Sequence, residues 1–345
     1  MHTQLHATHA GWNHVSMNSC DVVCIGEAMA QVTPTDGNGV ESAAQFQIDI
    51  AGAESNVAIN LAQLEHRAVW FGRVGDDAFG RRVRNTLEAQ GVIVHTGDPD
   101  ATRPTGLFVK DPTPTGSTVT YYRAGSAASA LAPHDIDDAF ALHPRVLHTS
   151  GVTAALSTTA REAVEHALAN APDGIVTSFD VNYRPRLWPS KEHAAQTLLD
   201  LARQADIVFV GRDEAENLWG TRTAEECRAL LPEVPHLVVK DGSVDAVEFD
   251  GATETRVPAR VVEVVEAVGA GDAFASGWLH GYLHGDDSTV RLRLGHLIAG
   301  RVLTSLSDYT ADRPDLAALR ATATEATAAT EATPATEATA TTEEK

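Results

Sequence analysis

An α/β fold, with a mainly parallel sheet covered by helices on both faces, is the architecture this sequence predicts. Three observations lead there. Short strands that are apolar on both sides recur as RVLHTSG (145–151), IVTSFDVN (175–182), ADIVFVG (205–211) and PHLVVKDG (235–242). Helix-like patterns separate them, among them STTAREAVEHALAN and a segment near 194–203. The chain has 345 residues, 43% of them hydrophobic, enough to bury one large core or two modest ones. A strand apolar on both sides must be covered on both sides, and alternation with helices supplies that cover.

Taken in order, DVVCIGEAM (21–29) reads as a buried strand closed by Gly26 and Glu27. Residues 31–50 are polar, with turn signals at Pro34 and Asp36-Gly37, and read as exposed β structure. AGAESNVAINLAQLEH places Val57, Leu61 and Leu64 at helical spacing, AVWFGRVG follows as a strand, and 76–91 is a helix closed by Gly91. TGLFVK and STVTYYR flank the turn DPTPTG as a hairpin, which pairs with residues 31–50 as a small sheet outside the main body. A helix is expected near 289–307.

The stretch VVEVVEAVGAGDAFASGWLHGYL (261–283) carries the chemistry. It reads as a β-branched strand, a break at Gly269-Ala270-Gly271-Asp272, and an apolar helix. Glycines let the backbone approach a ligand, and the free amides and dipole of a helix start favour an anion such as phosphate. Asp272 adds a carboxylate beside that anion hole, the pairing expected for proton abstraction next to phosphoryl transfer. The plain alternative is a helix-capping aspartate in an ordinary strand-to-helix turn.

The remaining composition excludes several classes. A net charge of −21 argues against nucleic acid or an anionic membrane as partner. Cys20, Cys24 and Cys227 have neither metal-ligand spacing nor a disulfide framework, which fits a reducing cytoplasm. No apolar run reaches membrane-span length, so a cytoplasmic protein is expected. Residues 1–20, with His2, His6, His9 and His14, read as a disordered leader rather than a metal site. From 319 onward an Ala/Thr/Glu repeat reads as a disordered tail, leaving one domain at about 21–318 with a lid from 31–50 and 105–123. Exposed lid strands need cover, and a homo-oligomer is expected. There is no GxxxxGK[ST] loop, and the first strand runs into CIGEAMAQ rather than GxGxxG.

At VVEAVGAGDAFASG the sequence resembles the C-terminal signature of the ribokinase-like (PfkB) carbohydrate kinases, D-T-x-G-A-G-D-x-F. AGAESNVAINLAQLEHRAVWFGRVGDDAFG (51–80) resembles their N-terminal signature, and the similarity spans about 21–308. YYRAGSAAS (121–129) and FDVNYRPRLW (179–188) are similar to segments of the 2-keto-3-deoxygluconate kinases within that family. The resemblance implies a three-layer sandwich with a small β lid, a sugar-acid substrate, ATP, and Mg²⁺. It implies Asp272 as general base, with the amides of Gly269, Ala270 and Gly271 as anion hole. Gly52, Asn56, Phe108, Tyr121, Tyr122 and Asp308 are implied at the sugar, and Asn182, Lys240 and Gly242 at the nucleotide. Arg184 is implied at both. Arg123 and Arg184 suit a substrate carboxylate, for which a guanidinium is a bidentate match. Glu214 is implied in an indirect magnesium contact. The sequence departs from the family at Gly211, where an asparagine is usual, and at Asp245 and Ser307, where glycines are. Glu266 stands for Asp, Ala267 for Thr, and Phe108 for a frequent Tyr. A sibling sugar kinase and a non-catalytic sugar-binding protein are the competing readings.

Overall fold

The computed structural model describes residues 20–113, 116–305, 307–310 and 312–325. The four leader histidines and the tail beyond 325 lie outside the described residues. The chain runs through β1 (Val22–Ile25), β2 (Met29–Pro34), β3 (Phe46–Ala51), α1 (Ala53–Gln63), β4 (Ala68–Phe71), α2 (Ala78–Ala89) and β5 (Ile93–His95). Next come β6 (Leu107–Thr113), β7 (Gly116–Tyr122), α3 (Pro133–Phe140), β8 (Val146–Ser150), α4 (Gly151–Ala154), α5 (Thr158–Ala169) and β9 (Val176–Asp180). Then follow α6 (Lys191–Ala202), β10 (Ile207–Gly211), α7 (Arg212–Trp219), α8 (Ala224–Leu230), β11 (His236–Asp241), β12 (Asp245–Asp250) and β13 (Thr253–Pro258). The last elements are α9 (Ala270–His284), α10 (Ser288–Leu303) and α11 (Leu316–Glu325).

The described strands form two sheets. The larger has nine strands in the order β13-β12-β11-β10-β9-β8-β1-β4-β5. It is parallel from β11 to β5 and ends in an antiparallel edge, β11-β12-β13. Strand alternation sorts its side chains into two apolar layers. Val22 and Cys24 of β1 pack with Leu61 of α1 and Trp278 of α9. Val23 and Ile25 of the same strand pack with Ile136 of α3 and Ala163 of α5. Farther along, Val208 and Val210 of β10 face α6, α7 and α8, while Ile207 and Phe209 turn to the α9 side. The smaller sheet has the order β3-β2-β6-β7.

Four expectations change. Residues 259–268 form no strand, and Val261, Val264, Val265 and Val268 are all exposed. The sheet edge is already taken by β13, and this segment is instead pinned where the Val265 amide donates to the Leu303 carbonyl at 2.8 Å. Strand β2 is largely buried rather than exposed, because it lies inside the small sheet between β3 and β6. The chain beyond 319 is not structureless throughout: α11 reaches Glu325 because Leu319 and Ala323 bury against α10. Cys20, assigned to the leader, is buried with Val23 and Phe140. Among the described residues no helix is long and apolar enough to cross a membrane.

Candidate active site

Strand order decides where the chemistry can sit. The parallel strands β1, β9, β10 and β11 all end on one side of the sheet, where their following loops leave polar side chains and free amides. Helices α1 and α9 begin on that side, and the small sheet stands over it. The result is a cleft of about 570 Å³. Gly52, Asn56, Phe108, Tyr121, Arg123, Asn182, Arg184, Glu214, Lys240, Gly242, Gly269, Gly271, Asp272 and Asp308 all line it. Tyr122 does not: next to Tyr121 on β7 it must face the other way, and it is 63% exposed. Ala270 does not line it either, and its amide turns back to the Ala267 carbonyl at 3.3 Å.

Helix α9 opens on Gly269 at φ 81, the left-handed conformation glycine adopts without cost. A β-carbon there would meet the Asp308 carbonyl at 2.5 Å, so this turn tolerates no side chain. With Ala270 engaged, the amides of Gly271 and Asp272 meet no acceptor among the described residues. Free amides at a helix start form an anion site. Lys240 Nζ comes within 3.5 Å of where a Gly271 β-carbon would stand, which adds a cation to it.

Asp272 is buried beside those amides. One of its oxygens accepts from Asn56 Nδ2 at 2.9 Å and the other from Asn182 Nδ2 at 3.2 Å. Burial pushes its carboxyl up to about 7, against the pull of the Asn56 hydrogen bond and with help from the nearby Asp180 charge. An acid held there is half ionised at neutral pH, as a general base should be. Asn182 itself is held at φ 39, which aims its amide inward from the end of β9.

Several buried polar atoms in the cleft have no hydrogen-bond partner among the described residues: Asn56 Oδ1, Asn182 Oδ1, Asp308 Oδ1 and Arg123 Nε. Such atoms are costly unless something polar satisfies them, and a polyhydroxylated ligand offers the matching groups. Burial raises the Asp308 carboxyl to about 6, despite Lys110 nearby. Arg123 and Arg184 line the cleft together, but each already faces an acid. Arg123 pairs with buried Glu27, and half-exposed Arg184 lies 3.5 Å from Glu214. A guanidinium carries five N–H donors, so one ion pair leaves others free for a ligand.

At the strand ends, Lys240 Nζ contacts Asp180 Oδ2 at 2.9 Å. Burial alone would depress the Lys240 ammonium, but Asp180 and Glu214 outweigh it and hold it above its ordinary value. Glu214 closes the start of α7: its oxygens accept the Gly211 and Tyr183 amides, each at 2.9 Å. Burial and the Asp180 charge raise its carboxyl. Gly242 takes φ 50 in the loop beyond, and Asp245 is drawn away to Arg256 at 2.9 Å. Glu266 pairs with buried Lys110 of β6 at 2.5 Å, joining the small sheet to the loop ahead of α9.

The sequence reading left out Glu27, Lys110 and Asp180, which all line the cleft. Each had a signal. Glu27 and Asp180 are acids at the ends of buried strands, and Lys110 is the charge ending the apolar run LFV.

Comparison with known proteins supplies the family. A family model described as pfkB family carbohydrate kinase matches residues 20–315. The chain is 35% identical over 274 residues to a 2-dehydro-3-deoxygluconokinase from Bacillus subtilis strain 168, covering 77% of this chain and 84% of that protein. It is 30% identical over 305 residues to a 2-dehydro-3-deoxygalactonokinase from Haloferax volcanii, covering 86% of this chain and 95% of that one. A solved PfkB protein from Polaromonas sp. JS666 superposes with a TM-score of 0.78 at 34% identity, covering 88% of this chain and 100% of its own. The two sheets, the shared cleft and these matches lead to one conclusion: the chain belongs to the pfkB family of carbohydrate kinases, with their ribokinase-like fold.

Proposed function

We propose that this kinase transfers the γ-phosphoryl group of ATP to the 6-hydroxyl of 2-keto-3-deoxygluconate (2-dehydro-3-deoxygluconate). The observation that carries the reading is Asp272, a buried acid raised to about 7 and set beside the unpaired amides of α9. As the hydroxyl oxygen bonds to the γ-phosphorus, its proton passes to Asp272 and the bond to the ADP oxygen breaks. Proton abstraction of this kind contributes roughly 10²–10⁴ in rate. Charge developing on the transferred group meets the Gly271 and Asp272 amides and Lys240.

The sugar sits under the small sheet. Gly52 permits close approach, Asn56 and Asp308 offer acceptors to hydroxyls, and Tyr121 and Phe108 cover one face. Arg123 and Arg184 share the substrate carboxylate. The nucleotide takes the other end of the cleft, by Asn182, Gly242 and Lys240. Acids gathered there suit a dication: Asp180, Asp213 and Glu214 line one wall, and Glu214 is raised by burial and by Asp180. Asp213 would hold magnesium directly, and Asp180 and Glu214 through water, since Lys240 and the Asn182 amide occupy the oxygens of Asp180 and backbone amides those of Glu214. The ion supplies charge neutralisation on the ATP phosphates. A cytoplasmic, homo-oligomeric enzyme fits this reading.

The test is ADP release with 2-keto-3-deoxygluconate, its galactonate epimer, fructose and ribose. The highest kcat/KM is expected for 2-keto-3-deoxygluconate. Preference for the epimer would move the chain toward the Haloferax relative, and preference for a neutral sugar would overturn the carboxylate assignment.

A further inference from the structure

Helices α1 and α9 both start at the cleft, and their far ends meet again around three histidines. His66 follows α1, and His280 and His284 stand one turn apart in the last turns of α9. Ligand nitrogens of the three lie within 4.8 Å of one another. His66 Nε2 and His280 Nδ1 are 2.8 Å apart, and the three rings crowd at centroid distances of 4.3 to 5.4 Å. The phosphoryl-transfer site uses none of them.

We propose that His66, His280 and His284 form a binding site for a divalent transition-metal ion of the zinc class, which staples the distal end of α1 to that of α9. Imidazole nitrogens are preferred ligands for zinc, and three of them with one open position make a complete tetrahedral set once water joins. His284 is exposed, so solvent reaches the fourth position. His284 Nδ1 donates to the His280 carbonyl at 2.8 Å, which leaves Nε2 with the lone pair. His66 Nδ1 lies 3.8 Å from the Asp21 carboxylate, and its Nε2 shares a proton with His280 Nδ1 at 2.8 Å, which zinc would displace on binding. Arg145 and Arg320 are the nearby cations. Arg145 is engaged by Asp21 and the Leu283 carbonyl, and Arg320 by Asp286. A second trio, His236, Glu248 and Asp250, is claimed by Arg291, whose guanidinium binds both carboxylates.

Zinc titration against a chromophoric chelator, without nucleotide and near neutral pH, tests the site. The protein is the full chain carrying His2→Ala, His6→Ala, His9→Ala and His14→Ala, which removes the leader's own imidazoles. One equivalent of zinc should bind and raise Tm. Adding His284→Ala should weaken binding at least tenfold and abolish the Tm rise, leaving the far-ultraviolet circular dichroism and kinase turnover unchanged. Asp21→Asn should weaken binding by roughly 10–100-fold. Equal zinc affinity with and without His284, or no zinc uptake by the parent, would overturn the site.

Discussion

Three unlike requirements for the proposed base coincide on Asp272: burial raises it, two asparagine amides orient it, and the α9 amides lie beside it. A general base reacts in its ionised form, so kcat/KM for the sugar should fall as pH drops through about 7. A pH–rate profile checks this, and a flat profile from pH 5 to 8 would contradict it. Arg184→Ala should raise KM for the sugar acid about tenfold, the equivalent of roughly 1.4 kcal/mol, and hardly move KM for ATP. Initial-rate kinetics against each substrate reads the difference. Asp308 carries an opposite consequence for stability. Its carboxyl is raised from 3.8 to about 6, so the folded state holds the proton longer than the unfolded chain. That contribution is present below 3.8 and lost as pH rises through about 6. Asp308→Asn should therefore gain on the order of 1 kcal/mol at pH 8, a gain that fades toward pH 4 in denaturant titrations. Single residues inside motifs were legible in the sequence, as Asp272, Asn56 and Lys240 were. Their partners were not: Glu27 reaches Arg123, and Lys110 reaches Glu266, across separations that no local pattern encodes.

Helix α9 shows how one element ties the site to the core. Its first turn carries Asp272, and its middle packs so tightly on α10 that a β-carbon at Gly277 would meet the Leu294 carbonyl at 2.3 Å. Every close atom there is backbone, so the helices must separate to admit a methyl group. Gly277→Ala should destabilise by roughly 1–3 kcal/mol and lower turnover as well, because the helix that moves carries Asp272, the proposed base. Thermal unfolding and kcat together check it; an unchanged Tm would contradict it. The helix itself was legible, since a long apolar pattern after a glycine turn has few other readings. The supposed strand before it was misread because β-branched residues favour strands only where a neighbour is available. Here β13 already closes the edge, and the valines remain in solvent.

At the scale of the whole molecule, the nine-stranded sheet and the small sheet wall one cleft, and in the proposed reaction the first supplies the phosphate side and the second the sugar side. Alternating strands and helices made the larger sheet legible, whereas the antiparallel edge and the burial of β2 depend on which strands become neighbours. Lys110 and Glu266 bridge the two halves. Lys110→Met, which keeps the apolar stem, should raise KM for the sugar acid roughly fivefold, about 1 kcal/mol, with KM for ATP nearly unchanged. Equal changes in both constants would mean that the bridge does not position the small sheet over the sugar. In the proposed reaction the protein moves a proton from a sugar hydroxyl to Asp272 as the phosphoryl group transfers. The most direct measurement is single-turnover phosphorylation of 2-keto-3-deoxygluconate by wild type and Asp272→Asn, with ATP binding measured in parallel. ATP affinity should stay within a few-fold of wild type while the rate falls by roughly 10²–10⁴. A rate within a few-fold of wild type would contradict it.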